Sequence, residues 1–477
     1  MTPESNQKHI KRPWSRGVKK WLVVYSIAAA LALSWFFRQR AVNTLPPMAP
    51  PHPMPAVNAR DYYIAAADAL KDKGKILYAS QTPPPPPAKL PANIPARSKL
   101  PADFHDTWEK KSADDHVYSL PEKVQIVADN TEALQLLHQG FQYPYQEPPA
   151  RRFSTDIPLY VNARYLDWLL RIQAETEAKR GHWKQCLDVN LDATQLGETL
   201  THGGTVGQMY LGLRGQSNGR KYAWAAVSHL SGPEARAAAR RLESIRTAHM
   251  PFTDTMQEEK WSMQAGLRDV MAKQDWANQL FLKTDRDSPR LLEYPKEWII
   301  RQAGVSYVET LGKKKILLNN SHWMDIVIAQ AQQPYAAHPT LPVLPADLIN
   351  PALLYDFRPG HFTEVKADTQ NALLVTALAL QAYRQGHKAY PATLTALVPV
   401  YLKAVPVDPF ALFGPLGYKR IGAKYVLYSV GPDSRDDGGK AIFDTRESAP
   451  GPRSTSDRRR WTQEDSTGDV VAGVNTN

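Results

Sequence analysis

The chain has one cysteine, Cys186, in 477 residues. A single thiol excludes any intrachain disulfide, which is compatible with export because a large protein can fold on its core alone. With no histidine beside it to draw off its proton, Cys186 reads as a small apolar helix residue rather than a nucleophile. Paired Cys-x-x-Cys, His-Glu-x-x-His, P-loop and Gly-x-Gly-x-x-Gly patterns are all missing, so zinc, phosphate-cradle and dinucleotide chemistries have no signature. Acidic residues are scarce in the first 40 positions, where eight Lys/Arg face Glu4 alone. Most of the net charge of +11 therefore sits in one short flank. A nucleic-acid footprint needs basic residues clustered on a folded face, so no nucleic-acid partner is expected.

That flank adjoins the one stretch that reads as a membrane span. "WLVVYSIAAALALSWFF", Trp21 to Phe37, runs 17 residues without a charge. As a helix it extends about 26 Å, against a hydrocarbon core of about 30 Å. Aromatic rings mark its ends, six basic residues precede it and two follow, an asymmetry that keeps the N-terminus cytoplasmic. The run ends in "SWFFRQR" without a small-x-small cleavage site, so it reads as an uncleaved anchor. The expected organisation is a basic cytoplasmic tail (1–20), a transmembrane anchor (21–37) in the bilayer of a bacterial inner membrane, and an extracytoplasmic, periplasmic bulk.

Proline, 39 residues in all, has most of its excess in two strips, 45–57 with six prolines and 82–101. Such strips are extended, semi-rigid spacers. Together they define a linker, 38–116, holding one short helix with Tyr62, Ala65, Ala66, Ala69 and Leu70 at helical spacing. From 117 to 360 the sequence predicts an irregular antiparallel array of helices. Leu166, Leu169, Leu170 and Ile172 stripe one helix; Trp183, Cys186, Leu187, Leu191 and Thr194 stripe the next. "KRGH" between them forces a helical hairpin. Ser231, Pro233 and Glu234 spell a capping box, and further helices are expected near 253–281, 291–312, 321–334 and 344–356. "THGGT" (201–205) and "GQSNG" (215–219) imitate an oxyanion-hole motif and a nucleophile elbow. An elbow needs a strand before Ser217, and none is predicted; Gly207, Gly212, Gly215 and Gly219 are read as close helix contacts. Glu258 and Glu259 lie on opposite sides of a helical turn and give no glycosidase dyad.

From 361 to 445 the texture changes to a small α+β unit. A long helix carries Leu373, Leu374, Ala377, Leu378 and Ala382, and two strand-like runs, "LGYKR" and "KYVLYSV", are joined by "IGA". A polar tail (446–477) follows, with a closing strand expected near 469–474. The order "ALQAYRQGHKAYPATLTALVPVYLKAVPVDPF", "GYKR", "YVLYSVGPDSRDDGG" resembles the globular domain of the type II secretion major pseudopilin, over about residues 366–474. The family's Gly-Phe-Thr-Leu-x-Glu start is absent, so no pilin-type processing or assembly is expected. The whole order is similar to membrane-anchored envelope proteins of planctomycete-like bacteria, a resemblance to which no activity is attached. What the pseudopilin resemblance implies is a structural Ca²⁺ site after the last long strand. Carried over, Asp433 matches the first loop aspartate, Asp436 and Asp437 add carboxylates, and Asp469 opens the closing strand, with Asp444 as its rival. Carboxylates and loop carbonyls are the ligands Ca²⁺ takes. Ser434 stands where the family usually has glycine.

The expected fold class is thus mainly α: a helical array, then a pseudopilin-like α+β end, behind a transmembrane helix. No catalytic residue is assigned. The expected function is a membrane-tethered binding or scaffold protein with an envelope protein partner. The alternative is an envelope hydrolase acting on glycan or peptide in a groove of the helical region, motivated by Trp168, Trp183, Trp224 and Trp261.

Overall fold

A computed structural model describes residues 16–45, 47–48, 50, 52–80, 117–149, 158–284, 295–337, 340–347, 349–443 and 461–475. The second proline strip and Asp444 lie outside the described residues. The chain is mainly helical, with a small antiparallel sheet. Helix α1 (Arg16–Asn43) covers the apolar run, and every side chain described between Trp21 and Phe37 is exposed. Among the described residues no helix is long and apolar enough to cross a membrane. The side chains of Leu22, Val23 and Phe36 in α1 lie outside the described residues.

Two compact units divide the chain. One comprises Met1–Met48, Leu267–Trp323 and Leu344–Tyr355; the other comprises Ala49–Gly266, Met324–Val343 and Asp356–Asn477. In the larger unit the linker helix is two helices, α2 (Ala59–Asp68) and α3 (Lys73–Ser80). Lys71 N–H donates to Asn130 Oδ1 at 2.7 Å in the break between them. The face that docks is Ala59, Tyr63, Ala66 and Ala67. Ala65, expected on it, is exposed and Tyr62 is half-buried, because Tyr63 rather than Tyr62 fills the interior and reaches Thr199 Oγ1 at 3.3 Å.

α4 (Leu120–Asp129), α5 (Thr131–Gly140), α6 (Pro158–Lys179) and α7 (Trp183–Thr199) complete this side. Arg180–His182 form the short break, and α6 and α7 pack as the expected hairpin. Leu166, Leu169, Leu170 and Ile172 are fully buried, each worth roughly 1.5–3 kcal/mol of apolar burial. Helix α7 serves two cores. Val189, Ala193 and Leu196 face α2–α6, while Leu187 and Leu191 face a second core with α8 (Val206–Val227), α9 (Gly232–Thr247) and the C-terminal residues. The α7–α8 crossing is tight: a Cβ on Gly212 would sit 2.2 Å from Gly197 O. Gly212 thus meets its reading as a close contact, Gly207 faces open space, and Gly197 is the partner that spacing did not disclose. Ser231 caps α9 through the expected box with Glu234.

The expected helix 253–281 is broken at residues 272–275 into α10 (Phe252–Met271) and α11 (Trp276–Thr284). α12 (Pro295–Leu311) follows, and α13 (Lys313–Ala331) starts eight residues before the expected 321. Residues 344–356 form only the single turn α14 (Asn350–Leu353). There Asp347, 3% exposed, accepts from the backbone N–H of Ile349 and Asn350 and from Asn319 Nδ2, which favours a side-chain-organised loop over continued helix.

A division between the two units falls at Tyr355/Asp356, near the expected border at 360/361. α15 (Arg358–His387) begins before it and packs on α8 and α9 as well as on the sheet. It is buried all round rather than along one stripe, from Thr369 to Ala382, as expected of a helix at the centre of a core. β1 (Gly417–Ile421) and β2 (Lys424–Ser429) form an antiparallel hairpin, with Gly422 at φ 57° in its turn. The closing strand is β3 (Val470–Val471), which pairs antiparallel with β2.

Candidate functional site

The loop after β2 gathers the four predicted aspartates around its own backbone. Asp469, fully buried, accepts from Asp437 N–H at 3.2 Å and from Gly439 N–H at 2.6 Å. Asp433 accepts from Arg435 N–H and Gly468 N–H, both at 3.3 Å. Asp436 accepts from Gly438 N–H at 2.8 Å, while Asp437 contributes its own N–H and keeps its side chain exposed. Lys419 Nζ donates to Gly438 O at 3.0 Å and so places a cation at the loop. Ser434, in the glycine position, adopts φ 57° and donates through Oγ to Phe410 O at 3.0 Å. Burial raises the Asp469 pKa; the two backbone N–H bonds oppose this, and the charges of Asp436 and Asp437 reinforce it. Among the described residues no three His, Cys, Asp or Glu side chains come together as metal ligands. The carboxylates of Asp433, Asp436 and Asp469 are directed at N–H groups instead.

A fifth aspartate anchors the same loop and was not singled out from the sequence. Asp408, 1% exposed, accepts from Ser429 Oγ at 2.6 Å, Phe410 N–H at 3.0 Å and Val430 N–H at 2.8 Å. Its pKa is raised by burial, against the pull of those donors. The available signal was its place in "VDPF", since an aspartate before proline is a turn former.

The helical interior holds a second polar group of residues. His249 lies between two carboxylates, with Nδ1 at 2.8 Å from Glu198 on α7 and Nε2 at 2.6 Å from Glu364 on α15. Burial alone would lower its pKa; the bonds and charges of the two glutamates outweigh it and raise it to about 11. With both ring nitrogens donating, His249 is a fixed imidazolium and not a base available near neutral pH. The line continues through Gln216, which donates to Glu198 Oε2 at 3.1 Å and accepts from Asn371 Nδ2 at 3.0 Å. Arg220 Nη1 donates to Asn371 Oδ1 at 3.1 Å. Nothing in sequence spacing could have found this line, because its bonds join residues 18 to 155 positions apart.

Ser217 lies inside α8, with no strand before it, so the elbow geometry is not formed. Cys186 is buried, and burial pushes its thiol up to about 12, in line with an inert packing role. Glu259 accepts from Val206 N–H at 3.1 Å at the start of α8. A groove of about 390 Å³ opens between α4, α5 and α6, lined among others by Val127, Leu134, His138, Glu177 and Arg180. Glu177, the one carboxylate lining it, bonds His182 Nδ1 at 2.7 Å and Arg180 Nη1 at 3.4 Å. The groove therefore does not present the facing pair of carboxylates a glycosidase needs. No family model, no curated protein and no solved structure matches this chain.

Proposed function

We propose that the chain is a membrane-tethered extracytoplasmic binding or scaffold protein, held in the bilayer by residues 21–37. The observation that carries this reading is the exposure of α1. Trp21, Tyr25, Ile27, Leu31, Leu33 and Trp35 are each more than half exposed, around the whole circumference of a helix preceded by a basic flank. A helix apolar all round is ordinarily covered, by protein or by lipid, and hydrocarbon is the surrounding that suits these side chains. The buried carboxylates Asp408, Asp469, Glu198 and Glu364 accept hydrogen bonds that fix the fold, which supports binding over hydrolysis. The full-length protein should remain in the membrane pellet after alkaline carbonate washing, and its bulk should be cut by protease added from the extracytoplasmic side. Release by carbonate, or protection from that protease, would sink the reading. A partner should then co-purify from detergent-solubilised membranes.

A second reading concerns the aspartate loop. Three neighbouring negative charges acting on one another around Asp469 favour a cation there, and the pseudopilin resemblance supplies Ca²⁺ as the ion. Asp433, Asp436, Asp437 and Asp469 would hold it once their N–H bonds rearranged. Calorimetric titration of the full chain with Ca²⁺ should give saturable heat that disappears in Asp433→Ala. Equal traces from the two proteins would remove the ion from the account.

A further inference from the structure

The charges buried around α15 do not balance. Glu198 and Glu364 are the two carboxylates of the cluster, and both are engaged by His249. Three cations accompany them: His249, Arg220 and Lys366. Arg220, only 2% exposed, has neutral amides as its hydrogen-bond partners, Asn371 Oδ1 at 3.1 Å and Gln216 Oε1 at 3.5 Å, and its Nε has none. Lys366 Nζ donates to the backbone carbonyl of Thr462 at 3.0 Å. Among the described residues neither cation has a carboxylate at ion-pair distance. Burial pushes the Lys366 pKa down to about 8, and the charge of Arg220 pushes in the same direction, so the lysine still carries its proton at neutral pH.

The surroundings of Lys366 also offer a donor without an acceptor. Thr462, 2% exposed, has no partner for its Oγ1, and the neighbouring Trp461 has none for its indole Nε1. Lys366 and Trp461 are both partly exposed, which leaves a way in from solvent. A buried guanidinium and a part-buried ammonium acting against each other, the latter bonded to the residue that carries the unused hydroxyl, are costly without a negative charge. They are favourable around a negative charge with several oxygens, which accepts charge-assisted bonds from each.

We propose that Arg220, Lys366 and Thr462 form a binding site for a small oxyanion, a carboxylate or a phosphate, which supplies the negative charge the interior lacks. The anion accepts from Lys366 Nζ, Arg220 Nε and Thr462 Oγ1, and the segment carrying Trp461 and Thr462 closes over it against α15.

The test is thermal unfolding of the full-length protein in detergent at pH 7. Chloride is exchanged at constant ionic strength for acetate in one arm and inorganic phosphate in the other. A saturable rise in Tm with acetate alone assigns a carboxylate, with phosphate alone a phosphate, and with both a site for either. In Lys366→Met the apparent affinity should fall about tenfold or more, the loss expected of one charged hydrogen bond, and Thr462→Val should fall by less. No rise with either anion, or the same rise in Lys366→Met, would overturn the proposal. Should Lys366→Met not fold, Lys366 itself is followed by NMR after reductive ¹³C-methylation. Its pKa should climb when the stabilising oxyanion is added, and a pKa unmoved by both anions would equally overturn the site.

Discussion

At the scale of single residues, the buried carboxylates of this protein act as acceptors that organise backbone and neighbouring helices. His249 is the clearest case, and its removal should be severe. In His249→Gln, Glu198 and Glu364 lose the cation between them, a change of about 3–5 kcal/mol for a buried pair, measurable by urea unfolding at pH 6. The pH dependence has a definite sign. The imidazole pKa is raised in the folded state, to about 11, so its contribution is complete below the unfolded value of about 6.5 and is lost as pH rises through the folded one. The stability gap between the two proteins should therefore shrink steadily from pH 7 to pH 10, and a constant gap would contradict the pairing. Little of this was legible beforehand. The aspartates of "GPDSRDDGG" could be singled out because they crowd within five positions, and Asp469 only through the pseudopilin resemblance. Their use as backbone acceptors could not, since it depends on where Gly439 and Gly468 lie in space.

At the scale of elements, sequence reading succeeded where local chemistry decides and failed where a neighbour does. The capping box at Ser231, the hairpin break at Arg180–His182 and the two strands of the hairpin all follow from side chains within a few positions of one another. The docking face of the linker helices followed only in part: Ala66 and Leu70 are buried as expected, but Tyr62 and Tyr63 fit helical spacing equally well and only the pocket left by α5 and α6 selects Tyr63. Glycine reading was similarly divided. Gly212→Ala drives a methyl group into the carbonyl of Gly197 at 2.2 Å, and should cost about 3 kcal/mol, the upper end for overpacking. Gly207→Ala meets nothing closer than 4.0 Å and should be neutral or stabilising by about 0.5–1 kcal/mol. Chemical denaturation of the two variants side by side separates close approach from helix propensity; equal effects would refute the crossing. Ser231→Ala, which removes the cap alone, should cost about 1 kcal/mol in the same assay.

At the scale of the molecule, helices of the 117–360 region and the α+β end share an interior. Residues from α7, α8, α9, α15 and all three strands contribute to it, and the change in sequence texture near 361 accompanies a change of element type within that core. Val470→Asp, a charge placed at a position 1% exposed, should accordingly loosen α9 and α15 as well as β2. Hydrogen exchange read by mass spectrometry would register faster exchange in 372–382 together with 424–429; a change confined to the strands would argue for separate folding units. The late position of β3 carries a consequence for synthesis. The interior to which Leu187, Leu242 and Val470 all belong is complete only once Val470 has been made and delivered to the same compartment. The growing chain must therefore spend most of its translation with an open apolar interior, which makes it a natural client for whatever holdase waits where it emerges.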